Sequence, residues 1–449
     1  MTAQARLSSR SGASDGGPPL SPEQRVRVQR RTVAVLSIAT ILGGLGVGAA
    51  LSVGALLLAE VSGNDAISGL ASATFSAGAA VAGIPLARLA ARRGRRRALV
   101  TGSLVAMLGS VAAILGSVVG QWWLLAVGLA LVGVSSAVQL LSRFTATDLA
   151  LPGNRARDLS LVVWSITVGA VVGPNLLGPG AMVGELLGVT PLAGVFVFPF
   201  VAQALAAIVN WTGLRPDPLF AARALQAQAD ASAKPETAPD DGVAPSQAPA
   251  PEPAEGSSRM PLLLTIFSIA MAQAIMVALM AMTPLHLMHH EGTPQLVGFT
   301  LSLHIAGMYA LSPLFGFLAG RIGRLQTVAI GWAVLLVSVV LAYFAGPSHL
   351  LVQVALTLLG VGWGLVTVAG AALLTDLAPP AERPIWQGRS DTFMSASGAV
   401  AGALSGVVFA IGDFSFLALA SGALLALGAV ASIRLAIHGR RGGRGEFAG

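Results

Sequence analysis

Long apolar runs alternate with short polar loops along almost the whole chain. A helix needs roughly 20 apolar residues to cross the hydrocarbon of a bilayer. Runs of about that length fall near residues 32–59, 66–87, 98–119, 122–146, 159–183 and 190–213, and again near 261–285, 296–319, 326–345, 349–374, 391–411 and 415–437. The pattern predicts an all-α membrane protein of twelve transmembrane helices in two six-helix bundles, 32–213 and 260–437. Residues 214–259, rich in Ala, Pro, Asp, Glu and Gln, cannot bury a core and are predicted as a disordered linker. Residues 1–31 are predicted as a disordered tail and 438–449 as a second tail.

The polar positions orient the runs. The 27 Lys and Arg residues lie in the tails, in loops or in the last turn of a run. With the N-terminus inside, they gather on one side, at Arg88 and Arg92 to Arg97, Arg155 and Arg157, Arg215 to Arg259, Arg321 and Arg324, Arg383 and Arg389, and Arg440 to Arg444. The opposite loops carry Glu60, Asp65, Glu185, Glu291 and Asp413 and no basic residue. Basic residues in short loops are retained in the cytoplasm, so both termini are expected there, in a plasma (inner) membrane protein. Shifting the threading by one span would scatter the arginines over both faces.

Composition excludes a soluble alternative: 54% of residues are hydrophobic, only 10% are charged, and the mean hydropathy is +0.76. The net charge of +7 does not imply nucleic acid, because topology and anionic lipid headgroups account for arginines in short loops. The absence of cysteine rules out disulfides and thiolate chemistry.

The two halves repeat. Leu89 to Arg95 (LAARRGR) matches Leu318 to Arg324 (LAGRIGR) at an offset of 229, Thr147-Asp148-Leu149-Ala150 recurs from Thr375 at 228, and Gly169 to Gly173 recurs from Gly398 at 229. Three ordered matches at one spacing indicate a duplicated six-helix unit. Parallel repeats of this kind enclose a central cavity that rocking exposes alternately to each side.

The segment Ala87 to Arg96 resembles the major facilitator superfamily signature G-x-L-A-D-R-x-G-R-R, and Gly316 to Arg324 repeats it. Gly169 to Gly178 (GAVVGPNLLG) is similar to the G-x-x-x-G-P motif of that superfamily's 12-span drug/proton antiporters. The likeness covers residues 32–437. It implies the superfamily's fold, alternating access and a cytoplasmic gate, here expected from Arg92, Gly94 and Asp148 with Arg321, Gly323 and Asp376. The signature Asp is replaced by Ala91 and Gly320, so the carried-over gate consists of Arg92 with Asp148 and Arg321 with Asp376. Arg95, Arg96 and Arg97 are expected as plain topology charge. Gly169, Gly173, Pro174 and Gly178 are expected to give a kinked, closely packed fifth helix.

No Asp or Glu falls at mid-depth in a span. The titratable groups left for proton coupling are His304 and His286. His286, His289, His290 and Glu291 have spacings suited to a metal, but the expectation is a polar cap and no metal site. Candidate substrate contacts are Gln139, Asn175, Gln273, His304, Tyr309 and Trp363, polar or aromatic groups within the apolar runs. Such a cavity suits small amphipathic or hydrophobic solutes.

No phosphate-binding loop is present, so ATP-driven transport is not expected; with no cysteine and no carboxylate at mid-depth, enzyme activity is not expected either. The expected function is a proton-coupled exporter that needs no cofactor beyond the proton gradient. Its expected partners are a small-molecule substrate and the bilayer, it does not bind nucleic acid, and it acts as a monomer. A nutrient importer and a non-transporting receptor of the same fold remain alternatives.

Overall fold

A computed structural model describes residues 21–151, 154–233, 259–379 and 382–441. Among these residues the structure is helical, without strands. In chain order the helices are α1 (Pro22–Ser62), α2 (Asp65–Ser68), α3 (Leu70–Arg93), α4 (Arg95–Val118), α5 (Trp122–Thr145), α6 (Arg155–Val172), α7 (Leu177–Leu187), α8 (Pro191–Gly194), α9 (Val197–Gly213) and α10 (Pro218–Ala233). After residues 234–258 come α11 (Met260–His289), α12 (Pro294–Tyr309), α13 (Ser312–Ile322), α14 (Arg324–Phe344), α15 (His349–Leu377) and α16 (Arg383–Arg441). Eleven helical stretches among the described residues are long and apolar enough to cross a membrane.

The last of these, Ile385–His438, has 54 residues. That is on the order of 80 Å at the α-helical rise, far more than a bilayer. Its helical backbone breaks at Gly412 (φ −151°, ψ 24°) and Asp413 (φ 61°, ψ −167°). The contacts show the chain doubling back there. Ser397 donates to Ala270 O at 2.9 Å and Ser432 bonds Ser268 at 2.9 Å, so both limbs of α16 reach one level of α11. Asp413 lies at the other end of α11, beside His286.

Helix limits correct the expected tails. Ser21 caps α1 in a capping box with Gln24, and Pro22 occupies its first turn, so residues 22–31 are helical. Part of the expected linker forms α10, and α16 runs to Arg441. Residues 1–20, 234–258 and 442–449 lie outside the described residues. The short turns α3–α4 and α13–α14 share one geometry: Gly94 has φ 89° and Gly323 has φ 100°, a region where side chains other than glycine's are strained.

Near the loops carrying Glu60, Asp65, Glu291 and Asp413, hereafter the acidic face, one apolar core runs through both bundles and includes Leu57, Leu58, Phe196, Leu279, Met282 and Leu301. Toward the arginine-rich basic face, separate clusters serve each bundle: Leu36, Leu99 and Leu141 in the first, Leu262, Leu374 and Trp386 in the second. The bundles therefore meet at one face and part at the other.

Candidate functional site

Glycines make the meeting face. Gly69 packs against Gly402 and Gly406, and a Cβ on Gly406 would approach Ala66 O to 2.5 Å. Asn175 donates to Ser302 Oγ at 2.7 Å, Ser302 donates to Val171 O at 2.6 Å, and His289 reaches Asp65 at 3.4 Å. Further along the same helix faces, Gly83, Gly316, Gly320 and Gly388 have open space where a Cβ would stand. The result is a cleft closed at the acidic face and open at the basic face.

Three of the six expected substrate contacts come together in this cleft. Trp363 Nε1 donates to Gln273 Oε1 at 2.8 Å, and the Tyr309 ring meets Trp363 edge-on at 5.7 Å between centroids. Gln273 also packs against Gly398. The other three lie elsewhere. Gln139 packs against Gly43 between α5 and α1, and Asn175 belongs to the closed interface. His304 is fully buried between α12 and α15, where its Nδ1–H donates to Leu356 O at 2.7 Å. This placement seats His304 between two helices of the second bundle.

Sequence reading missed Arg143 and Asp391. Arg143 lies in the last turn of α5. Asp391, at the edge of an apolar run, is two turns inside α16 and exposed to the cleft. Arg143 of the first bundle lies within electrostatic range of Asp391 and Tyr309 of the second. The only signal in the sequence was a charge at the end of each run.

The structure shifts the expected gate pairs by three residues, across the glycine turns. Asp148 is bound by Arg95, through Nε at 2.9 Å and Nη2 at 3.2 Å, not by Arg92. Asp376 pairs with Arg324, not Arg321. Arg92 and Arg321 are exposed, and Arg321 lies over the Phe317 ring. Gly94 and Gly323 start the following helices, which turns Arg95 and Arg324 toward the carboxylates. Burial pushes the Asp148 carboxyl up from its ordinary value, and Arg95 counteracts this. Asp217, just before α10, accepts the Arg96 N–H at 2.9 Å and lies against Gly94, while Arg96 stacks over Trp211 at 4.6 Å. Arg96 is thus more than topology charge.

The glycine motif of the fifth span packs against α1. Gly169 and Gly173 interlock with Gly44 and Gly48 of α1, where Cβ atoms on Gly44 and Gly48 would come within 2.7 Å of Ile166 O and Ala170 O. Gly173 and Pro174 form a 3₁₀ turn between α6 and α7, which breaks the helix, and Gly178 faces Gln295. His286 is buried at the acidic end of α11, outside the cleft.

Two helical bundles around a polar cleft open at one end define the architecture of a transporter. Residues 36–290 and 262–446 match the family model of the Major Facilitator Superfamily. The chain belongs to the Major Facilitator Superfamily and is a multi-pass membrane transporter. It is 36% identical to the uncharacterized MFS-type transporter YdeG of Bacillus subtilis, with 90% of this chain and 91% of the relative covered. It is 27% identical to the riboflavin transporter RfnT of Brucella anthropi, over 84% and 88%. A bacterial homologue of the lysosomal transporter Spinster, solved inward-facing and unoccupied, shares the fold at TM-score 0.63 and 17% identity, covering 93% of this chain and 94% of that one.

Proposed function

We propose that this transporter crosses the plasma membrane twelve times with both termini in the cytoplasm, and that it exports small amphipathic solutes in exchange for protons. The hairpin at Gly412–Asp413 supplies the twelfth crossing, and the one-sided arginines support the orientation. In that orientation the cleft faces the cytoplasm and is closed outside.

What supports the coupling is Asp391, a carboxylate two turns inside α16, with Arg143 of the first bundle within electrostatic range of it. An ionised Asp391 attracts Arg143, the condition in which a proton has been released and a solute is taken up. Protonation outside removes that attraction and favours discharge of the solute. Tyr309, Trp363 and Gln273 form the binding wall, apolar and aromatic with one amide for orientation. A second reading, import of a planar heterocyclic nutrient, is supported by the aromatic pair and by the riboflavin transporter among the relatives.

Proteoliposomes with an imposed pH gradient test both readings. Gradient-driven flux of an amphipathic dye, lost in Asp391→Asn, is the expected result. Dye flux indifferent to the gradient overturns proton coupling. Riboflavin flux without dye flux favours the second reading.

A further inference from the structure

Beyond the transport cleft, the acidic face holds a second cluster. One nitrogen each of His286 and His290 and an oxygen of Asp413 lie within 4.8 Å of one another. Their hydrogen bonds fix which nitrogens are available. His286 Nε2 lies 3.0 Å from Gly346 O, and a carbonyl only accepts, so Nε2 carries a hydrogen and, in the neutral ring, Nδ1 keeps its lone pair. His290 Nδ1 donates in the same way to His286 O at 2.9 Å, which leaves Nε2. Ligating histidines in metal proteins are oriented by this arrangement, with the second ring N–H given to a backbone carbonyl.

The Nδ1 lone pair of His286 faces Asp413 Oδ1 at 3.5 Å. Two bare acceptors at that distance repel unless a proton or a metal ion lies between them. Two ligand atoms bound tetrahedrally to one zinc-sized ion, each roughly 2.1 Å from it, stand about 3.4 Å apart. Asp413 reaches this position from a backbone with φ 61° and ψ −167°, a region populated almost solely by glycine. His286 is 2% exposed and stacks on Phe414 at 4.5 Å, so its ring is held in place, whereas His290 and Asp413 are accessible from the face.

We propose that His286 Nδ1, His290 Nε2 and an Asp413 carboxylate oxygen, with water as the remaining ligand, bind one divalent transition-metal ion of the zinc class. The ion ties the hairpin within α16 to the end of α11 and, through His286, to the turn at Gly346. It fastens three connections of the second bundle at the face where the two bundles meet. His289, which faces Asp65 of the first bundle, takes no part.

The test uses the full-length protein in nanodiscs, with any affinity tag removed, titrated with Zn²⁺ and with Co²⁺ as a spectroscopic probe. One Co²⁺ per chain with the intense visible absorption of a four-coordinate N/O site is expected, together with a rise in Tm on adding Zn²⁺. His290→Ala and Asp413→Asn, each checked for a monodisperse elution profile, are expected to lose at least about tenfold in Zn²⁺ affinity, the scale carried even by supporting residues at such sites. His289→Ala is expected to bind like the parent. Absence of binding, or binding unchanged in both His290→Ala and Asp413→Asn, overturns the site, as does loss of binding only in His289→Ala.

Discussion

Arg95 holds Asp148 through both carboxylate oxygens, at 2.9 and 3.2 Å, in a site where the two side chains are only 17% and 12% exposed. Such a charge pair, drawn from α4 and the end of α5, loses more when one partner is removed than it gains by forming. The uncompensated carboxylate costs about 1–3 kcal/mol. Arg95→Gln is therefore expected to lower the Tm of the purified transporter, with Arg92→Gln near the parent.

The pH dependence of that loss has a definite sign. Burial already raises the Asp148 pKa above 3.8, and Arg95 opposes the rise. A carboxyl with a raised folded pKa contributes stability that is complete below the unfolded pKa and is lost as pH rises through the folded one. Without Arg95 the folded pKa climbs further, so the deficit of Arg95→Gln is expected to widen as pH rises above the unfolded carboxylate pKa of about 3.9. Adding Asp148→Asn is expected to abolish that widening. Thermal unfolding of the three variants across this range checks it, and a deficit that is flat with pH would assign the loss to packing.

What the sequence made legible was the element pattern and the repeat, because span length and arginine placement are imposed by the bilayer on every segment. What it hid was direction. The offset of 229 relates Arg92 to Arg321 as well as Arg95 to Arg324, and only the left-handed turn at Gly94 or Gly323 decides which arginine of each pair faces the carboxylate. His304 is the same problem inside a helix: a polar residue in an apolar run must be satisfied internally, but a backbone carbonyl satisfies it as well as a cleft does. Asp391 was overlooked because it stands where a hydropathy run begins. There a charge on a solvated loop and a charge two turns inside a wet cleft have the same local sequence.

His304→Ala separates these two readings of a buried histidine. Because its Nδ1–H bonds Leu356 O at 2.7 Å and its ring fills the contact of α12 with α15, truncation is expected to destabilise the second bundle. The lost hydrogen bond, to a carbonyl that keeps its helical partner, and the space left by the ring together cost about 1–3 kcal/mol. Solute flux in the surviving folded fraction is expected to keep the parent's dependence on the pH gradient. Flux that becomes gradient-independent at unchanged Tm would restore His304 as the coupling group.

The glycine contact between bundles predicts a conformational phenotype. Gly402 and Gly406 of α16 lie directly on the backbone of residues 66–73, and Gly402 also meets the Ser72 side chain. A leucine at Gly402 cannot be seated without separating the bundles at the acidic face, yet it leaves each bundle's own core intact. Gly402→Leu is therefore expected to shift the protein toward the state open at that face. Because the chain has no cysteine, a single Cys introduced at Ser72 or at Gly388 reports each side against no background. Thiol labelling is expected to accelerate at position 72 and slow at position 388 when Gly402→Leu is added. Unchanged rates at both positions would mean that the contact does not control closure.

The Trp363–Gln273 hydrogen bond gives the last prediction, because it distinguishes a binding wall from a helix clamp. The indole N–H to Oε1 distance is 2.8 Å, and the indole also presents an edge-on partner to Tyr309. Trp363→Phe keeps an aromatic surface and removes the donor. The freed Gln273 oxygen then faces a cleft wet enough to hydrate it, so the stability cost is expected to stay below about 1 kcal/mol. If the amide is oriented by Trp363 to receive solute, losing that orientation weakens binding by about 0.5–1.5 kcal/mol, or roughly two- to tenfold in apparent KM, with maximal flux little changed. A packing role alone predicts the opposite division: a lowered Tm, fewer active molecules and reduced maximal flux, with KM intact. Measuring KM and maximal flux in proteoliposomes alongside Tm in the same preparation separates the two outcomes. A rise in KM at constant Tm would place Gln273 in contact with the transported solute.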